Sequence, residues 1–277
     1  MPTIHLENCT QCMKCVKDCP SSAIDIASGV IANTCIHCGH CVAICPVSTI
    51  SPDFGKIRAL EPLTVSPLDF QSLSAGLRSI RYYLKREVPE EHVQMLVENM
   101  KHYSSASNAR PLRITVVRTP EKIQLLNDLT ADTLLKTLKL VTSPLLMPVL
   151  SLVAPSINLR GLKKYKDSFI RKRLTNSSMV CHHAPLAMLF HGPVSKFDMS
   201  EADAYIWATH TTLLAKTLGL GSCFIGFIVK AMERNKALKR EMGIPLNHKV
   251  YAALVLGYPK VYYKNETSRV RPGMEFV

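Results

Sequence analysis

Along the 277-residue chain the apolar positions follow two regimes. In residues 1–56 isolated isoleucines at 4, 24, 26, 31, 36, 44 and 50 stand among polar residues and cysteines with no sustained period. Beyond residue 69 the spacing becomes regular. Val93, Val97 and Met100 recur at helical spacing after Pro89, which predicts an amphipathic helix over Glu90 to Tyr103. Ile114 to Val117 is short and β-branched, Ala184 to Phe190 is an apolar run of strand length, and Val250 to Leu256 is a third strand ending at Gly257-Tyr258-Pro259. Between the last two lies a long helix, Ser200 to Leu218, opened by Ser200 with Asp203 three residues on and closed by Gly219. Strands and helices mix without the strict alternation of a doubly wound sheet, so the larger part reads as α+β.

The pattern divides the chain into a small domain at 1–56, a linker at 57–68 within a proline-rich, aperiodic stretch, and a large domain at 69–277. Within the large domain, residues 119–180 are irregular in pattern. Their apolar stretch from Leu140 to Pro155 falls short of the roughly 20 residues that span a bilayer, and Pro144 and Pro148 interrupt it.

Composition changes the picture at the cysteines. Eight of ten fall between positions 9 and 45, a distribution that points to metal rather than to a disulfide scaffold. Cys9, Cys12, Cys15 and Cys19-Pro20 have the spacing C-x-x-C-x-x-C-x-x-x-C-P, and Cys35, Cys38, Cys41 and Cys45-Pro46 repeat it 26 residues later. Three cysteines at such intervals on a tight loop can each point a thiolate at one face of a cuboidal cluster, leaving the fourth corner to come from elsewhere. Structural zinc takes two C-x-x-C pairs for one ion, which the doubled spacing exceeds. The spacing resembles the bacterial two-cluster ferredoxin pattern. That resemblance implies two 4Fe-4S clusters, one on Cys9, Cys12, Cys15 and Cys45, the other on Cys35, Cys38, Cys41 and Cys19. About fifty residues bury too little apolar surface for a core of their own, so the clusters, ringed by the isoleucines, would serve as one. His37 and His40 read as surface residues rather than ligands. Such a segment passes electrons serially and offers nothing to bind a substrate.

Net charge is +13. Residues 1–56 hold Lys14, Lys17 and Lys56 against Glu7, Asp18, Asp25 and Asp53, so the excess lies in the remainder, much of it between Arg160 and Arg173. A solvated basic face, an anionic membrane surface, nucleic acid, an acidic redox partner or a phosphate-bearing cofactor would each suit it. No cationic leader with an apolar stretch precedes Cys9, which with thiolate-held iron suggests a cytoplasmic protein.

In the large domain Leu77-Arg78-Ser79-Ile80-Arg81, Val88-Pro89-Glu90-Glu91, Ser104 through Pro111, and Leu218-Gly219-Leu220-Gly221-Ser222-Cys223-Phe224-Ile225-Gly226 occur in an order that resembles the FMN-dependent nitroreductase family. The chain thus resembles a ferredoxin–nitroreductase fusion: a small two-cluster ferredoxin-like domain followed by a nitroreductase-like α+β domain, a mixed sheet flanked by helices. Residues 119–180 are longer than the connection usual in that family, so the resemblance makes them an insertion. Two cations and a hydroxyl at Arg78, Ser79 and Arg81 suit a phosphate, and the resemblance assigns them to the FMN phosphate, although Leu77 stands where the family often has another arginine. It assigns Ser105 and Asn108 to the flavin ring and ribityl chain, with Arg110 replacing a common glutamine. Ile225 and Gly226 would present backbone N–H groups to the reactive flavin edge, and Arg269 and Arg271 would return to the phosphate. It also implies a homodimer with FMN at the subunit interface, an external low-potential donor such as ferredoxin, and a small-molecule electron acceptor of nitroaromatic, quinone or enone type. Nucleic acid is not expected as a partner on this reading, and peripheral membrane contact stays open. The alternative is a redox-sensing iron–sulfur protein whose basic C-terminal domain binds nucleic acid or a membrane surface. Gly219-x-Gly221 ends a helix rather than following a strand, which rejects a dinucleotide fingerprint. Cys181-His182-His183 reads as a buried thiol beside ordinary histidines.

Overall fold

The computed structural model describes residues 1–153, 159–175, 178–194 and 199–276. It divides into two units, one of residues 1–65 with 105–110, the other of residues 66–104 with 111–277.

The 26-residue repeat of the first unit is legible in its backbone. β1 (Thr3–Ile4) pairs antiparallel with β4 (Ile50–Ser51), and β2 (Ile24–Asp25) with β3 (Val30–Ile31). α1 (Lys14–Lys17) and α2 (His40–Ile44) occupy equivalent places in the two halves. Left-handed φ angles recur with the same period, at Gln11 and His37, Met13 and Gly39, and Ser22 and Ser48. Five of these six residues carry a side chain in a conformation that costs most residues about 1 kcal/mol or more, so the cysteine loops are held against local preference. The buried core is small: Ile4, Cys15, Cys41 and Ile50, with Ile24, Ile26 and Ile31 packed against it. Ile44, expected beside them, is exposed.

In the second unit four strands form an antiparallel sheet in the order β5 (Arg113–Val117), β6 (Leu186–Pro193), β8 (His248–Gly257), β7 (Gly221–Phe224). The parallel contribution to the expected mixed sheet is the bridge from Ser79 to Ser222. β6 reads as a continuous apolar run because both its faces are covered. Leu186, Met188 and Phe190 point into a core shared with α4 (Glu90–Asn99) and α8 (Ser200–Thr217), whereas Ala187 and Leu189 point into a core shared with α5 (Pro120–Val141) and α9 (Gly226–Arg234).

Several expectations are corrected. The helix begun at Glu90 ends at Asn99 and continues to His102 only as a 3-10 turn. Ser200 is the first residue of α8 and fully buried, and Met199 precedes it without a side-chain cap. Residues 119–180, expected to be irregular, are largely helical: α5, α6 (Leu146–Val153) and α7 (Leu159–Thr175), with 154–158 and 176–177 outside the described residues. Thr119 caps α5 through the Lys122 N–H and Pro120 takes its first turn. Pro148 does not break α6, since it sits in the first turn where the amide has no intrahelical acceptor. α3 (Pro67–Ala75) is opened by a capping box between Ser66 and Asp69, and α10 (Lys236–Glu241) follows α9. Among the described residues no helix is long and apolar enough to cross a membrane.

Candidate functional site

In the first unit Cys9, Cys12, Cys15 and Cys45 line one cavity, so three cysteines of the first repeat meet the last cysteine of the second. Cys35 and Cys38 lie near enough to Cys41 for their charges to disfavour its ionisation, as does Cys15. The sulfurs are dressed by backbone amides in a pattern that repeats. Cys9 accepts from the Gln11 N–H at 3.3 Å and Cys35 from His37 at 3.4 Å; Cys19 accepts from Ala23 at 3.3 Å and Cys45 from Thr49 at 3.4 Å. The left-handed residues noted above produce this, because they turn amides back onto the preceding sulfur. At Cys19 burial opposes ionisation, but the Ala23 amide and the Ser21 hydroxyl outweigh it and lower the thiol pKa; Thr49 does the same for Cys45. Burial pushes Cys41 up to about 11. His37 is paired with Asp53, and His40 lies 3.5 Å from Asp18, so both histidines face carboxylates. Among the described residues no three His, Cys, Asp or Glu side chains converge on a single ion.

The second unit holds a cavity of about 600 Å³ beside the end of β7. Its position follows from one close approach. A Cβ on Gly221 would come within 2.5 Å of Ile80, so glycine there lets residues 79–81 lie against β7. The Ile80 N–H donates to the Ser222 carbonyl at 2.9 Å, and Tyr83 closes the turn by donating to the Ile80 carbonyl at 2.7 Å. Arg81 is thereby carried to the cavity wall, where Lys172 of α7 and Lys230 of α9 join it. No carboxylate is among the described lining residues. Phe169 and Phe227 meet edge to face across 6.4 Å, and Phe224 and Ile225 complete an apolar side. His182 also lines the cavity; burial first, then the Arg81 charge, lowers its pKa and keeps it neutral at pH 7. Burial raises the Cys223 thiol despite Arg81 and the Ser79 hydroxyl.

The residues that the sequence grouped around one ligand are therefore distributed. Arg81, Ile225 and Gly226 line the cavity. Arg78 donates to the carbonyls of Ala75 and Leu77 at 2.7 Å each and to the Thr267 hydroxyl at 3.2 Å, and Arg269 reaches the Leu77 carbonyl at 3.3 Å. The tail thus returns to the Arg78 segment, with Arg271 exposed in it. Ser105 and Asn108 belong by their contacts to the first unit: Asn108 donates to the carbonyls of Ile36 at 3.1 Å and His37 at 2.8 Å, and Ser105 accepts from the Arg110 N–H at 3.1 Å. The expectation for Ile225 is corrected, because its N–H already donates to the Ala253 carbonyl at 2.9 Å. Gly226, the first residue of α9, is left as the amide at a helix amino end, where intrahelical acceptors are lacking. Lys172 and Phe169 are not assigned to a flavin site from the sequence, and His182 reads there as an ordinary histidine. The first two lie in the insertion, and His182 depends on a turn whose left-handed φ, 57° at both His182 and His183, leaves no mark in composition.

Comparison with known proteins matches the nitroreductase family over residues 75–258 and a 4Fe-4S dicluster domain over residues 1–46. A protein of Archaeoglobus fulgidus, provisionally named NADH dehydrogenase/NAD(P)H nitroreductase, is 27% identical over 186 residues, which are 66% of this chain and 81% of that protein. Crystal structures of nitroreductases with bound FMN from Bacteroides fragilis and Desulfitobacterium hafniense superpose with TM-scores of 0.55 and 0.56 at 19% and 16% identity. Each match covers 75% of this chain and 97% of the other, and at this identity it establishes the fold.

Proposed function

The chain belongs to the nitroreductase family, with a 4Fe-4S dicluster domain ahead of the family domain, and from that premise we propose that it is an iron–sulfur flavoprotein oxidoreductase. Its substrate would be an electrophilic small molecule of nitroaromatic, quinone or enone type, and its electrons would come from an external low-potential donor such as ferredoxin. Two 4Fe-4S clusters would be held by Cys9, Cys12, Cys15 and Cys45 and by Cys35, Cys38, Cys41 and Cys19. The four amide-to-sulfur bonds suit this, since they stabilise thiolates and cost no reorganisation on binding.

The single observation that carries the flavin part is the wall at Gly226. A Cβ there would meet no atom within 4 Å, so the glycine leaves open space at the amino end of α9, in a cavity lined by three cations and no described carboxylate. That space fits a planar, anionic group approaching the backbone. When bound, FMN would supply chemistry that accepts electrons singly and delivers them in pairs. Arg81 would bind the anion, Ile225, Phe224 and Phe227 would exclude water, and neutral His182 would hold a proton donor or acceptor in the cavity without adding charge. Arg78, Ser79, Arg269 and Arg271 remain the proposed phosphate set, and Ser105 and Asn108 the proposed ring and ribityl partners, in a homodimer of cytoplasmic location.

An absorption spectrum with iron, acid-labile sulfide and FMN quantitation on anaerobically purified protein tests the reading. Arg78→Ala/Arg81→Ala is expected to lose FMN and keep its iron. FMN retained at wild-type stoichiometry would remove the phosphate assignment.

A further inference from the structure

The insertion leaves an apolar helix uncovered. α6 has no charged residue, and Leu145, Leu152 and Val153 in and beside it are 87%, 84% and 74% exposed, with Val149 exposed between them. Scattered exposed leucines are ordinary, but several exposed aliphatic side chains on one short helix mark a surface that is covered in use. α6 and α7 both pack on α5, which makes α5 their common platform. Around the apolar run basic residues outnumber acidic ones. Lys136 and Lys139 are exposed on the last turns of α5, and Lys163, Lys164, Arg171 and Lys172 are exposed on α7, where Asp167 is the single acid. Arg173 is turned inward, to Asp128 at 2.6 Å and Asp132 at 3.4 Å.

We propose that this face docks reversibly on an anionic lipid bilayer. Leu145, Val149, Leu152 and Val153 enter the boundary between headgroups and acyl chains, and Lys136, Lys139, Lys163 and Lys164 lie against lipid phosphates. Eight helical residues rise only about 12 Å, against about 30 Å of hydrocarbon core, so α6 lies at the interface and does not span it. Apolar insertion alone or a basic patch alone binds weakly; the two together give stable attachment. Charge selects the occupant. A second copy docked through a two-fold axis would set the cationic run near its own image, whereas a leaflet of acidic lipids complements it. Side chains that offer no hydrogen-bonding group also suit hydrocarbon better than the patterned surface of a protein.

Sedimentation of the holoprotein with sucrose-loaded vesicles provides the test, using phosphatidylcholine alone and phosphatidylcholine mixed with phosphatidylglycerol, each at low and high salt. The protein is expected to pellet with the acidic vesicles and to be released by salt. Lys163→Glu/Lys164→Glu should lower partitioning about tenfold or more, and Leu145→Gln/Leu152→Gln should abolish it at low salt while the visible absorption spectrum stays that of the wild type. Wild-type protein left in the supernatant with both vesicle types would overturn the proposal, as would equal pelleting of the leucine variant. A leucine variant that sediments as a smaller oligomer would also overturn it, by assigning the face to a second copy. None of these outcomes depends on flavin occupancy, so the membrane proposal and the enzymatic one fail separately.

Discussion

Gly226 illustrates how one missing side chain can set a wall. Because an added Cβ meets open space, Gly226→Val is expected to leave the thermal midpoint within a few degrees of wild type while reducing FMN content about tenfold or more, read by fluorescence of flavin released on heating. A midpoint that falls steeply with FMN unchanged would give the glycine a purely structural role. A second residue-scale consequence concerns two buried imidazoles. Nδ1 of His191 and Nδ1 of His248 lie 2.9 Å apart, and Nε2 of His191 lies 2.9 Å from the Thr115 hydroxyl. Burial, then the neighbouring His248, pushes His191 down to about 4, and burial lowers His248 as well. Unfolded histidine titrates near 6.5, so between these values the unfolded chain binds more protons than the folded one. The contribution is complete above about pH 6.5 and is lost as pH falls through about 4. Urea midpoints measured across that window should decline with acidity, and His191→Gln should flatten the decline. The repeated cysteines could be read because their spacing is itself the signal, whereas nothing in composition marks two histidines 57 positions apart as partners.

Among the elements, β6 and β8 were legible because apolar runs of strand length tolerate few other readings, while α5 was missed although Ile123, Leu126, Thr130 and Ala131 bury one helical face. The surrounding proline and lysine content hid that period, and only packing against α9 and α7 reveals it. β7 was not among the expected strands, and Gly221-Ser222-Cys223-Phe224 has low strand propensity; its pairing with β8 supplies what propensity lacks. α5 also governs the cavity. The fully buried Asn127 accepts from the Val180 N–H at 2.9 Å and the Cys181 N–H at 3.2 Å, pinning the turn that carries His182. Asn127→Leu would leave two buried donors without that acceptor, at a cost of about 2–4 kcal/mol, measurable by urea denaturation. An unchanged midpoint would show that the turn is held by other contacts.

At the level of the whole molecule, two cores of different kind share one chain. The apolar centre of the first unit is a cluster of Ile4, Cys15, Cys41 and Ile50, and two of these are proposed ligands. Anaerobic removal of iron by a chelator is therefore expected to expose residues 1–65 to proteolysis while the unit holding the four-stranded sheet stays resistant. Equal resistance with and without iron would mean that the first unit folds on side chains alone.

What the chain determined without its fold was chemistry encoded in local spacing: the doubled cysteine repeat, the division into a cysteine-rich and an apolar region, the α+β character and the family of the larger part. Tertiary structure alone decided which of the proposed residues share a wall. It placed Arg81 beside Gly226, engaged the Ile225 amide with Ala253, put Asn108 with the first unit and brought Lys172 and His182 to the cavity. The reason is physical. A cluster ligand set is written in steps of three residues, where chain connectivity restricts geometry, but a cavity wall is assembled from segments a hundred positions apart, whose meeting depends on packing and on amides already engaged elsewhere.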